Sequence, residues 1–194
     1  MKKRVFIIHG WDGSPEINWF PWLKKELEAK GFAVSVPQLP DAGEPRIAKW
    51  VPALAKAVGT ADAETYFVGH SMGCQTIVRY LATLPENVKV GGAVFVAGFF
   101  QHITNLEQEP MGIDVDREWI TTPLDTDKVR RHLPKSAAIF SDNDPYVSLD
   151  NREDFKNKLG SEIIVLHAMG HFNEEAGVTE LPIVRDKLYT IDDM

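Results

Sequence analysis

The stretch "TYFVGHSMGCQTIVRYLATLP", residues 65–85, decides the fold. Its first part, "TYFVGH" (65–70), is a near-continuous apolar run of strand length, the pattern of a strand covered on both faces. Its last part, "MGCQTIVRYLATLP" (72–85), reads as a helix that stops at Pro85. Ser71 stands between them, flanked at matched spacing by Gly69 and Gly73. Gly-x-Ser-x-Gly is a weak signal by itself, and a serine also suits the start of a helix as its cap. A strand turning sharply into a helix is, however, the setting in which a nucleophilic serine is held exposed. Glycines two residues to either side relieve the crowding where strand and helix converge. The helix N-terminus favours negative charge beside Ser71.

The same alternation runs through the chain. Strand-like runs are "RVFIIH" (4–9), "FAVSVP" (32–37), "GGAVFVAG" (91–98), "SAAIFS" (136–141) and "EIIVLH" (162–167). Between them lie helix candidates at 18–31, 44–59 with a kink or restart at Pro52, 148–160 and 180–191. Strand–helix repetition of this kind predicts a mostly parallel sheet of about six strands with helices on both faces, a three-layer α/β sandwich. The segment 99–135 is polar and broken by Pro110, Gly112 and Pro123. It has room for short helices and is too short for a separate domain, so one domain over 1–194 is expected. No repeat, low-complexity tract or linker is visible.

The bulk properties narrow the function. The chain has 194 residues, 44% hydrophobic and 25% charged, with a net charge of −7. That balance argues against nucleic acid or an anionic membrane as the partner. "MKKR" is too short for a basic arm, no apolar run reaches the ~20 residues of a membrane span, and the start lacks the long apolar core of a signal peptide. One cysteine, Cys74, leaves no internal disulfide framework, and a cytoplasmic location is the default.

A nucleophilic serine needs a base, a carboxylate to orient it and donors for the oxyanion. Hydrolases built around such a serine run Ser, then Asp or Glu, then His along the chain. "FSDNDPYVS" (140–148) follows the fifth run and offers Asp142 and Asp144; "LHAMGHFNEE" (166–175) follows the sixth and offers His167 and His171. Both segments fall just past strand C-terminal ends, where open α/β sheets bind ligands. His167 ends its apolar run and is expected to pack. His171, after Gly170, is free to reach the serine. Pro145 restricts the residue before it to an extended conformation, which suits Asp144 as the rigid histidine-orienting acid. Asp142 and Asn143 are left to cap the turn.

"IIHGWDGS" (7–14) follows the first run and is expected to supply the backbone N–H of Trp11, which with that of Met72 makes the oxyanion hole. His9 is expected to brace this loop. Trp11, Phe99, Phe100 and Phe172 are candidates for an apolar acyl pocket. Trp19, Trp22 and Trp50 fit helical core faces, with Trp19 also a candidate for the site entrance. Cys74 reads as a small buried residue. His167 and His171 have a metal-helix spacing, but Gly170 and the preceding strand argue against a helix there, and neither a metal nor any other cofactor is expected.

Several segments resemble a known family. "VFIIHGW", "NWFPWLKKEL", "VGHSMGC", "VFVAGF", "SDNDPYVS", "GHFNEEAG" and "LPIV" are similar, nearly end to end, to the small α/β-hydrolase-fold serine hydrolases of the retinoblastoma-binding protein 9 and YdeN type. The resemblance implies a compact hydrolase without a large cap, acting on small-molecule esters or amides, with Ser71, Asp144 and His171 as its triad. It also sets the acid directly before the proline. The human member is described as binding retinoblastoma protein through a Leu-x-Cys-x-Glu stretch. The cysteine in "SMGCQT" has neither the leucine nor the glutamate, so that partner is not expected.

Overall fold

A computed structural model describes residues 2–106 and 112–193; Pro110, expected to break the segment after the fourth strand, lies outside them. Six strands form one open sheet: β1 (Arg4–Ile8), β2 (Ala33–Ser35), β3 (Thr65–His70), β4 (Gly92–Val96), β5 (Ser136–Ser141) and β6 (Glu162–Leu166). Their order is β2-β1-β3-β4-β5-β6, and every neighbouring pair is parallel. Parallel strands cannot be joined by tight turns, so each connection crosses over a face of the sheet.

Among the described residues these crossovers carry α1 (Phe20–Ala29), α2 (Ile47–Val58), α3 (Met72–Leu81), α4 (Gly112–Thr121), α5 (Thr126–His132) and α6 (Asn151–Asp154), and α7 (Pro182–Asp193) follows the last strand. A π-type turn, Phe155–Leu159, extends α6. Alternate residues of each strand face opposite sides, and this sorts the core in two. Phe6, Ile8, Phe67 and Phe95 pack with α2, α3, Val115, Trp119 and Val129 on one face. Val5, Ile7, Val68 and Val94 pack with Leu23, Leu27, Val184 and Leu188 of α1 and α7 on the other.

Some boundaries differ from the sequence reading. β2 keeps only Ala33–Ser35 of the run 32–37. α2 passes through Pro52 without a break; the ring faces solvent. The helix expected from residue 18 starts at Phe20, with Pro21 in its first turn, where a missing N–H costs nothing. The irregular segment holds α4 and α5. α4 is pinned from below by Arg79 of α3, a buried guanidinium that donates to the carbonyls of Trp119 and Thr122.

The chain leaves β1 toward β2 on one side and returns to β3 on the other. That reversal opens a crevice over the C-terminal ends of β1 and β3, the place where doubly wound sheets bind their ligands.

Candidate active site

Ser71 occupies that crevice, between the last residue of β3 and the first of α3. Its backbone sits at φ 52°, ψ −120°, a region that side-chain-bearing residues rarely adopt. The strained peptide is tied down on both sides: Ser71 N–H donates to the Val96 carbonyl at 2.9 Å, and Cys74 N–H to the Ser71 carbonyl at 2.9 Å. The serine side chain makes no capping bond to α3, and the residue is 8% exposed. The flanking glycines are forced by space. A Cβ on Gly69 would lie 2.8 Å from Ile77 Cδ1 and 2.9 Å from Cys74 Cα. A Cβ on Gly73 would strike the Ile8 carbonyl and lie 2.7 Å from that of His9, so the start of α3 rests directly on the end of β1.

His171 and Asp144 meet beyond the ends of β6 and β5, on the far side of β4 from Ser71. The His171 Nδ1–H donates to both carboxylate oxygens of Asp144, at 2.9 and 3.0 Å. The Asp144 side chain is 2% exposed and also accepts the N–H groups of Tyr146 and Val147, at 2.9 and 3.1 Å. The loop carrying His171 is laced to the end of β5 residue by residue. Asp142 Oδ1 accepts Ala168 N–H, Ser141 Oγ accepts Met169 N–H, Asn143 Oδ1 accepts Gly170 N–H, and Asp144 takes the His171 ring. Asp142 also accepts from Nδ1 of His167 at 2.7 Å, and these two bonds draw its carboxyl below the usual range. The His167 side chain is 90% exposed, not packed as its apolar run suggests.

Ser71 and His171 border one cavity of about 370 Å³, together with Trp11 and Met72. The backbone N–H groups of Trp11 and Met72 have no partner among the described residues. The loop that carries Trp11 is braced by His9, whose Nδ1–H donates to the Gly10 carbonyl at 2.8 Å while its Nε2 accepts Leu39 N–H at 3.0 Å. Burial pushes the His9 pKa down and keeps the ring neutral. Burial also pushes the Cys74 thiol up, three residues from Ser71.

The apolar pocket is not the one read from sequence. Of Trp11, Phe99, Phe100 and Phe172, Trp11 alone borders the cavity. Phe99 lies in the core on one face of the sheet and Phe172 in the core on the other; Phe100 packs against Phe155 beneath Lys158. Trp19 is likewise fully buried, donating through its indole N–H to the Phe172 carbonyl at 3.0 Å, rather than at the entrance. The apolar lining comes instead from Ile17, Ile103, Leu106 and Tyr146. These belong to connecting segments whose course the strand and helix periods do not encode, so no pattern in the sequence marked them.

The geometry agrees with what the chain is similar to. Residues 5–190 match the family model described as "Serine hydrolase". The YdeN protein of Bacillus subtilis (strain 168) is 34% identical over 188 residues, covering 97% of this chain and 95% of that one. The crystal structure of the B. subtilis ydeN gene product superimposes with a TM-score of 0.91 at 32% identity, covering all of both chains. "Serine hydrolase RBBP9" of Rattus norvegicus is 22% identical over 156 residues, 80% of this chain and 78% of that one. Est1E from Butyrivibrio proteoclasticus shares the fold with a TM-score of 0.75, at 14% identity, over 100% of this chain and 89% of its own. No helix among the described residues is long and apolar enough to cross a membrane.

Proposed function

The chain belongs to the serine hydrolase family, and from that premise we propose that it cleaves small acyl esters or amides through an acyl-enzyme on Ser71. The observation that carries the reading is the meeting of Ser71, strained at the mouth of β3, with a histidine already bound to a buried carboxylate, at one cavity. In the first half-reaction Ser71 Oγ attacks the substrate carbonyl carbon while His171 Nε2 takes the hydroxyl proton. Asp144 holds His171 in the Nδ1–H tautomer and offsets the charge that the ring acquires. The carbonyl oxygen, now an anion, is received by the free N–H groups of Trp11 and Met72. The intermediate collapses, His171 returns the proton to the departing alcohol or amine, and the acyl group stays on Ser71. Water then repeats the sequence and releases the acid.

The test is covalent and specific. A fluorophosphonate probe is expected to label wild-type protein at Ser71, identified by peptide mass spectrometry. Ser71→Ala is expected to lose both labelling and p-nitrophenyl acetate turnover, the latter by as much as ~10⁶, without unfolding. Turnover retained in a contaminant-free Ser71→Ala preparation would overturn Ser71 as the nucleophile; a wild type that neither labels nor turns over would leave a hydrolase fold serving as an interaction module.

A further inference from the structure

His70 has no task in the reaction above, yet it is built into the site. The residue is 4% exposed and borders the cavity next to Ser71. Its Nε2 lies 2.8 Å from the backbone carbonyl of His171. A carbonyl only accepts, so the proton is on Nε2 and the tautomer is fixed. The two imidazole rings stand 4.9 Å apart, tilted by 51°, and the Tyr146 ring meets His171 edge-on at 5.1 Å. The His171 ring is therefore confined by two aromatic neighbours. Its loop is held by side chains on both sides: Asn143 takes the preceding N–H, while His70 and Trp19 take the His171 and Phe172 carbonyls.

We propose that His70 is a positioning residue for His171: a donor without charge that fixes the carbonyl and the ring plane of the base from the strand end that also carries the nucleophile. The proposal rests on the reading of His171 as base. The neutrality matters, because a lysine or arginine at this place would repel the imidazolium that forms on His171. Of the titratable groups around it, His171 and His9 disfavour a charge on His70, and Asp144 favours one. Burial outweighs them all and brings the His70 pKa down to about 3. At neutral pH His70 is thus an uncharged donor, its Nε2–H directed at the His171 carbonyl.

Two variants separate the elements of this role. His70→Phe keeps a flat ring and removes the donor; His70→Gln keeps an N–H of similar reach and removes the ring. Misplacement of a reacting group by about 1 Å can cost on the order of 10²-fold, so His70→Phe is expected to lower kcat by about 10- to 100-fold with KM nearly unchanged. The fluorophosphonate labelling rate should fall in parallel, and His70→Gln should recover much of both. A folded His70→Phe with wild-type kcat, or a His70→Gln as impaired as His70→Phe, overturns the proposal. If His70→Phe does not fold, the imidazole NMR signals of the wild type decide. They must show a His70 Nε2–H that does not titrate between pH 8 and 5; titration in that range overturns the proposal. Ser71→Ala run alongside keeps the two claims apart. An active Ser71→Ala sinks the acyl-enzyme reading on Ser71, whereas a dead Ser71→Ala beside an unimpaired His70→Phe sinks only the role given to His70.

Discussion

Asp142 and Asp144 stand two residues apart, yet each takes a different histidine: Asp142 binds His167 Nδ1 at 2.7 Å in the open, and Asp144 binds His171 Nδ1 at 2.9 Å in a buried setting. The site thus contains two histidine–carboxylate pairs of similar length, and only the Asp144 pair borders the cavity through its histidine.

The contrast sets the first expectation. Asp144→Asn should lower turnover by about 10⁴-fold, because an amide favours the wrong histidine tautomer. Asp142→Asn leaves His171 and its partner in place. It should retain most activity and lose a little stability, since Asp142 also accepts Ala168 N–H. Turnover of both variants at one pH, with circular dichroism as the folding control, checks this; a dead Asp142→Asn beside an active Asp144→Asn would reverse the assignment.

Acid should unfold the protein through its buried histidines. His9 and His70 are both lowered from the ordinary value, chiefly by burial, His70 to about 3. The unfolded chain protonates them near pH 6.5, so it binds more protons than the folded chain below that pH. The stability they protect is whole above about pH 6.5 and falls as pH drops below it, by up to about 1.4 kcal/mol per pH unit for each fully neutral ring. The urea midpoint should decline from pH 7 to pH 5. His70→Phe, lacking one of the two groups, should decline less steeply; equal slopes would contradict the account.

Gly73→Ala should damage the fold rather than the chemistry alone. Its new Cβ meets backbone oxygens of Ile8 and His9, which no rotamer change can move aside. Overpacking of this sort costs roughly 1–3 kcal/mol or more. A thermal melt indistinguishable from wild type would show that α3 can lift off β1.

The cavity should select short acyl groups. Its volume of about 370 Å³ is near the lower end of small-molecule sites, and it is bounded by Ile103 and Leu106 from the segment after β4. In a p-nitrophenyl ester series, acetate to butyrate should exceed decanoate and longer in kcat/KM. A preference for chains beyond about ten carbons would refute it.

The sheet was legible because parallel strands buried on both faces leave unbroken apolar runs; "TYFVGH" matches β3 residue for residue. Boundaries were least legible where tertiary contacts set them, as at β2, which pairs over three residues with β1 alone. The positions of Ser71, Asp144 and His171 could be read because each follows a strand end. The acyl pocket could not: a phenylalanine in a loop reads as pocket or core alike, and Phe172 enters the core through a backbone at φ 54° that its sequence does not announce. The bonding of Asp142, Ser141 and Asn143 to successive N–H groups was equally hidden, since it depends on register between two strand ends.

The sheet order also bears on how activity is lost. Ser71 hangs from β3, flanked by β1 and β4 and buried along its whole length, whereas the His171 loop follows β6, the outermost strand, paired on one side only and with Val165 open to solvent. Edge elements exchange their amide hydrogens through local opening at a lower cost than central ones. Mild denaturant would therefore fray the strand that leads to His171 while Ser71 remains in place, and loss of turnover is expected to run ahead of the spectroscopic melt.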